Sequence, residues 1–169
     1  LMAAILPADQ GLYGSISTVP GAFKARVNCA SDVTEMVLNM VECVAYAVEV
    51  ERKTGVRVVI ALEPEPCCYL ETVAESVEFF TSHLYGAEAF NALATRLGTN
   101  PSDAGQAIRR HLGLCLDLCH AAVEFESAAD CLAALRASDV AIYKMQVSAG
   151  LRFLNVGAHT VAQLEPFND

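Results

Sequence analysis

Apolar residues along the chain follow two patterns, short β-branched runs and longer stretches with helical spacing. The short runs predict strands at 14–19, 56–62 and 140–148, and at the apolar start of 112–126. The last of these has no polar alternation, so it predicts a strand buried on both faces. Between them, spacings of three and four predict helices that begin near Asp32, Thr72, Asn100 and Ser127. Because strand and helix patterns alternate four times, the chain is predicted to form a parallel α/β sheet with right-handed crossovers.

Polar residues stand at the ends of the predicted strands. If Val59, Ala61 and Glu63 share one face of the sheet, Cys115 and Asp117 can share it too, as can Gln146 and Ser148 in the last strand. Such a face, small or apolar below and polar at the strand ends, resembles the inside of a TIM-type (β/α)₈ barrel. The prediction is therefore a parallel barrel whose catalytic groups lie at the carboxyl ends of its strands.

The length of the chain limits how much of a barrel it can form. A complete barrel typically needs about 250 residues, whereas this chain has 169. We therefore predict one domain over residues 1–169, an incomplete barrel of about four β/α units. The start at Leu1 and the abrupt stop at Asp169 lead to the expectation that the sequence is a central fragment of a longer protein.

Composition and net charge limit the kinds of partner and the cellular environment that the chain is expected to have. The formal net charge is −9 and none of the 11 Lys and Arg form a run, which argues against a nucleic-acid partner. No apolar stretch reaches the roughly 18 to 20 residues of a membrane span. Seven cysteines without Cys-x-x-Cys pairs indicate reduced thiols in a cytoplasmic protein rather than a disulfide framework or a structural zinc site.

Several polar residues are candidates for chemistry, and each has a simpler alternative. Glu63 and Asp117 would share one divalent cation, or would instead form a salt bridge to Lys144. Asp117 could also only cap the helix that follows it, with His120 packed beside it. Glu65 and Glu71 are candidate acid/base groups, or solvated loop carboxylates.

Other polar groups are weaker candidates. Ser17, with Ser15 and Thr18, could hydrogen-bond a hydroxylated ligand, although such residues are common at strand ends. Glu124 and Glu126 are expected to begin a helix.

Four motifs together carry a resemblance to a known family: GSISTVP (14–20), ALEPEP (61–66), LGLCLDLCHAAVEFE (112–126) and KMQVSAGL (144–151). In order and spacing they resemble the EboE family of metabolite-traffic proteins, which are xylose-isomerase-like TIM barrels related to sugar-phosphate isomerases and epimerases. The resemblance covers nearly the whole chain. It implies the third to sixth strands of the barrel.

The resemblance also implies roles for individual residues. Glu63 and Asp117 match ligands of a divalent metal (Mn, Mg, Zn or Co), and His120 matches a residue that helps hold substrate. The next ligand in the superfamily is commonly a His in the sixth strand. Here that strand offers Lys144, Gln146 and Ser148, so the metal site departs from the pattern.

Two functions are consistent with these features. The first is an isomerase or epimerase acting on a small polyhydroxylated or phosphorylated metabolite, in which a metal, or Lys144 in its place, stabilises an enediolate while a carboxylate moves the proton. The second is a non-catalytic metabolite carrier or pathway-assembly protein that keeps the fold without a complete metal site. Either would have a small-molecule partner, and self-association or a pathway protein partner is compatible with both.

Overall fold

A computed structural model of the chain describes residues 1–8, 11–148 and 153–167. Four strands form one sheet in the order β1 (Tyr13–Thr18), β2 (Arg57–Leu62), β3 (Leu112–Asp117) and β4 (Ile142–Gln146). Every neighbouring pair is parallel. The predicted parallel α/β sheet is confirmed, and it curls into a half-barrel.

Helices connect successive strands, as parallel pairing requires. The connecting helices are α2 (Ala30–Thr54), α3 (Val73–Phe79), α4 (Ala87–Leu97), α5 (Pro101–His111), α6 (Leu118–Val123) and α7 (Ala128–Ala137), whereas α1 (Met2–Ile5) precedes β1 and α8 (Ala158–Leu164) follows β4. Short 3₁₀ turns lie at Lys24–Arg26 and Glu165–Phe167, and α3 continues into a π-helical segment, Phe80–Leu84. In the described part of the chain, none of these helices combines the length and the apolarity that crossing a membrane would need.

Local capping signals account for several helix starts. Thr72 Oγ1 accepts from the Glu75 amide at 3.2 Å, and the Glu75 carboxylate accepts from the Thr72 amide at 3.3 Å, so the predicted capping box opens α3. The helix predicted to begin near Asp32 is confirmed as α2, which starts two residues earlier. This helix begins at Ala30, and Asp32 sits in its first turn with its carboxylate on the amides of Asn28 and Cys29.

The fourth strand is shorter than the predicted run 140–148, and a bulge within it interrupts its pairing with β3. Leu114 is opposite Ile142 but Cys115 is opposite Lys144, which leaves Tyr143 as the extra residue. Gly113 permits this packing, since a Cβ there would lie 2.4 Å from the Ala141 carbonyl and 2.6 Å from the Tyr143 ring.

Both faces of β3 are buried. Leu112, Leu114 and Leu116 belong to the core that the sheet shares with its helices, and Cys115 between them is also fully buried. This confirms the doubly buried strand expected from the unbroken apolar run. The largest fully buried side chains of that core include Leu62, Phe80, Leu93, Ile108 and Leu135.

Side chains of the outer strands meet on the concave side of the sheet. At the amino-terminal end, the Arg57 guanidinium lies over the rings of Tyr13 and Tyr143, at 5.2 and 5.0 Å from their centroids. Further along, Lys144 Nζ donates to Ser17 Oγ at 2.7 Å. These contacts link β1 to β4 across the inside of the half-barrel.

Candidate functional site

Three side chains of metal-ligand type meet at the carboxyl end of the sheet. Glu63 directly follows β2, Asp117 is the last residue of β3, and His120 lies in α6. One ligand atom from each lies within 4.8 Å of the others. Parallel strands bring their carboxyl ends to one edge, which is why residues 54 and 57 positions apart in sequence become neighbours.

Gln146, the last residue of β4, bridges the two carboxylates. Its Nε2 donates to Asp117 Oδ2 at 3.0 Å and also to Glu63 Oε1. Glu63 is 8% exposed, so its charge is removed from most of the surrounding water. The N–H groups of the Gln146 side chain place partial positive charge between the two negatively charged carboxylates. A cation at the same point would stabilise the two carboxylates still more.

Asp117 has a second role, the one considered as the simpler alternative. Its Oδ1 accepts from the Cys119 amide at 2.7 Å and so caps the amino terminus of α6. Its Oδ2 meanwhile faces Gln146. One carboxylate therefore serves both the helix and the cluster, and the two interpretations are not exclusive.

The orientation of His120 follows from its neighbours. Nδ1 lies 3.2 Å from the Pro64 carbonyl and 3.7 Å from Glu63 Oε1. Because a carbonyl oxygen only accepts hydrogen bonds, Nδ1 carries a proton and donates it to Pro64. A histidine that donates from one nitrogen to a backbone carbonyl is the usual arrangement for metal binding through the other.

Lys144 and Cys115 lie next to this cluster. They are opposite each other in β4 and β3, two residues before Gln146 and Asp117 and on the same face of the sheet. Among the described residues, Lys144 forms no ion pair with Glu63 or Asp117, and its ammonium donates to Ser17 instead. The alternative in which Lys144 neutralises the two carboxylates is therefore not what the structure shows. Burial, together with the nearby Glu63 carboxylate, raises the pKa of Cys115 to about 12, so this residue is a protonated thiol at neutral pH.

The two candidate acid/base residues lie outside the cluster. Glu71 forms an ion pair with Lys24 at 2.6 Å and accepts from the Cys67 amide at 2.8 Å, contacts that lower the pKa of its carboxyl. Glu65 lies half-buried in the loop after β2, with Oε2 at 4.0 Å from the Cys68 thiol. A lowered pKa makes Glu71 a weaker proton acceptor than an unpaired carboxylate.

The remaining candidates are spread along the same end of the molecule. Ser148 lies beyond β4 and is exposed, whereas Ser17 is half-buried under Lys144. The expectation that Glu124 and Glu126 begin a helix is wrong. Glu124 ends α6, and Glu126 accepts from the Val73 amide with both oxygens at 3.1 Å, which holds the start of α3.

Two contacts at the site join residues that are far apart in the sequence, so no local pattern predicts them. The Lys24 contact to Glu71 joins residues 47 positions apart, and the Pro64 carbonyl reaches His120 across 56 positions. The cavity beside Asp117 holds only about 10 Å³, whereas a groove of about 920 Å³ lies between α2 and the outer face of β1 and β2, away from the cluster.

Comparisons of the chain with protein-family models, with curated proteins and with solved structures found no match.

Proposed function

We propose that the protein is a sugar-phosphate isomerase- or epimerase-like barrel protein of the EboE type, which uses its strand-end carboxylates on a small polyhydroxylated or phosphorylated metabolite. The observation that carries the proposal is the convergence of Glu63, Asp117 and His120 within 4.8 Å. The four motifs that resemble that family include these three residues, so motif and geometry support the same site.

The donor set fits a divalent cation. Two carboxylate oxygens and an imidazole nitrogen suit Mn²⁺, Co²⁺ or Zn²⁺, and the carboxylates also suit Mg²⁺. Rotating the Gln146 amide by half a turn would present its carbonyl oxygen to the same point as a fourth ligand. Gln146 would thus take the place of the histidine that the family pattern puts in this strand. When bound, such a metal polarises substrate oxygens as a Lewis acid.

The residues of the chain have separate tasks under this proposal. His120, held by the Pro64 carbonyl, would hydrogen-bond a substrate hydroxyl or bind the metal through Nε2. Lys144, held by Ser17, would place a positive charge beside an enediolate oxygen. Glu65 would move the proton at the adjacent carbon. Glu71, held by Lys24, would keep the Glu65 loop in place.

A non-catalytic carrier is the second candidate, and one observation favours it. The hydrogen bonds from Gln146 already satisfy both carboxylates, and the Lys144 ammonium already has Ser17 as its partner. A site satisfied in this way is stable without a metal and could bind a polyhydroxylated ligand through hydrogen bonds alone.

Metal titration and proton exchange separate the two functions. Mn²⁺ binding is measured by isothermal titration calorimetry, and exchange of carbon-bound protons in a panel of ketose and aldose phosphates is followed by NMR in D₂O with Mn²⁺ present. The proposal expects saturable binding at one site and exchange in at least one sugar phosphate, both lost in Glu63→Gln. The exposed Glu88→Gln carries the same charge change and should retain both. Metal binding without exchange would reject the proposed catalysis, and absence of both would reject the metal site and favour the carrier that works without a metal.

A further inference from the structure

The chain has three lysines, and their surroundings differ. Hydrogen bonds from Lys24 to Glu71 and Glu75, at 2.6 and 2.7 Å, raise the pKa of Lys24 to about 12. The side chain of Lys53 is 75% exposed, with one carboxylate 3.8 Å away. Lys144 is half-buried and lies within β4. Of the three, Lys144 is therefore the one whose amine is held inside the sheet.

The hydrogen-bond partner of Lys144 is a neutral group. Its Nζ lies 2.7 Å from Ser17 Oγ. In the part of the chain that the structure describes, Lys144 forms no ion pair with a carboxylate. A hydroxyl accepts from an ammonium group and can also donate to the lone pair of an amine. The contact to Ser17 is thus compatible with a nucleophilic amine, whereas two carboxylates hold Lys24 in its charged form.

Lys144 lies on the same face of the sheet as the candidate site. Gln146 is two residues further along β4 on that face, about 7 Å away along the strand. Ser17 directly precedes Thr18, whose carbonyl accepts from the Glu63 amide at 3.2 Å. A small molecule attached to Lys144 Nζ would therefore lie beside the polar groups at the strand ends.

A lysine amine that is partly withdrawn from water can react with aldehydes and ketones to form a Schiff base. In this reaction the C=O bond of the carbonyl compound breaks and a C=N bond to the lysine nitrogen forms. The carbonyl oxygen leaves as water with two of the three protons of the ammonium group. The product is an iminium with the same single positive charge, so the step needs no oxidant, reductant or further reactant.

We propose that Lys144 is a nucleophile that forms an iminium with the carbonyl carbon of a small polyhydroxylated aldehyde or ketone. The iminium puts the positive charge on the substrate itself, where it withdraws electrons from the neighbouring carbon and allows a carboxylate to remove a proton there. This role goes beyond a fixed charge beside the substrate. The inference rests on the proposed function for its substrate class, but the covalent step needs no metal.

Reductive trapping in the 169-residue chain tests the proposal. The probes are dihydroxyacetone and its phosphate, with cyanoborohydride to reduce the iminium and EDTA to remove metal, and peptide mass spectrometry locates the label. With at least one probe, labelling of Lys144 should saturate and should exceed labelling of Lys53 at least about tenfold, because a bound carbonyl group is held next to Nζ. Labelling of Lys53 that equals or exceeds that of Lys144 with both probes would overturn the proposal.

Two lysine-to-arginine variants give a matched pair. Lys144→Arg keeps the positive charge and a donor for Ser17, but removes the amine nucleophile. It should lose the saturable label. Lys53→Arg makes the same change near the exposed end of α2 and should keep that label. If Lys144→Arg fails to fold by circular dichroism, the labelled positions in the wild-type chain still decide the question.

Proton exchange in Lys144→Arg separates this inference from the proposed metal-assisted function. If Lys144 acted only through its charge, this variant would retain exchange of carbon-bound protons, and that result would overturn the inference while leaving the metal site intact. Loss of exchange in a folded variant that still binds Mn²⁺ would support the inference. Trapping at Lys144 in Glu63→Gln would also support it, even if the wild-type chain binds no Mn²⁺.

Discussion

Asp117 is expected to contribute to stability and to metal binding through different oxygens, and two substitutions separate them. Asp117→Ala removes both the cap on the Cys119 amide and the contact to Gln146. Asp117→Asn keeps a side-chain oxygen that can accept from the Cys119 amide but removes the charge. Both variants remove the charge that Glu63 repels and the charged contact to Gln146, so the main difference between them is the helix cap.

The size of that difference can be worked from known capping energies. Replacing an Asp cap by Ala costs about 1 kcal/mol, whereas Asn caps nearly as well as Asp. For a chain of this size, about 1 kcal/mol lowers the melting temperature by roughly 2–4 °C. Asp117→Ala should therefore melt about 2–4 °C below Asp117→Asn in metal-free buffer, measured by differential scanning calorimetry at one protein concentration.

The effect of added Mn²⁺ on the melting temperature gives a second comparison between the wild type and the two variants. At a concentration of about 100 Kd, Mn²⁺ should stabilise the wild-type chain by about 2.7 kcal/mol. That free energy corresponds to roughly 5–10 °C in melting temperature. Both variants should lose this shift, because an amide or a methyl group is a much weaker ligand than a carboxylate. A full Mn²⁺ shift in Asp117→Asn would refute the role of the carboxylate as a ligand, and equal melting of the two variants would refute the capping role.

Three further outcomes follow from the packing and charges. Gly113→Ala should destabilise the fold by about 1–3 kcal/mol in urea titrations, because its Cβ would overlap the Ala141 carbonyl and the Tyr143 ring, and no loss would show that the bulge can move. Glu51→Gln should flatten the loss of stability in acid. Hydrogen bonding to Arg110 lowers the pKa of Glu51 below its ordinary 4.5, so the stabilisation is complete above pH 4.5 and is lost as the pH falls through the folded pKa. Urea titrations from pH 6 to pH 3 should show a smaller change in the variant than in the wild type, and identical pH profiles would contradict this. In native thiol labelling, Cys29, Cys67 and Cys119 should react quickly and Cys68, Cys115 and Cys131 only on unfolding, whereas fast labelling of Cys115 would contradict its burial and raised pKa.

Local signals predicted much of the fold. The box formed by Thr72 and Glu75, the Asn100 cap of α5 and the left-handed Gly98 after α4 each act within a few residues. Such signals can be read because the groups that satisfy the helix ends are close in sequence. The unbroken apolar run of β3 likewise indicated burial on both faces, which the structure confirms.

The errors came where a distant contact competed with a local one. The two-residue difference at the start of α2 is an exception, because it is local: the Asp32 carboxylate caps from inside the first turn. The β4 bulge depends on the space left by Gly113, 30 positions away in sequence from Tyr143. Nothing near Glu71 in sequence indicates that Lys24 will pair with it.

Of the candidate site, the sequence by itself determined which residues end the strands. Alternation along each strand put Glu63, Asp117 and Gln146 on one face, because successive side chains point to opposite sides. Only the tertiary structure decided which hydrogen bonds those side chains form. The register of β3 against β4 aligned Gln146 with Asp117 so that one amide bridges two carboxylates. The curl of the sheet turned Lys144 toward Ser17 rather than toward the carboxylates. Register and curl arise from packing across the whole sheet, which no single stretch of sequence encodes.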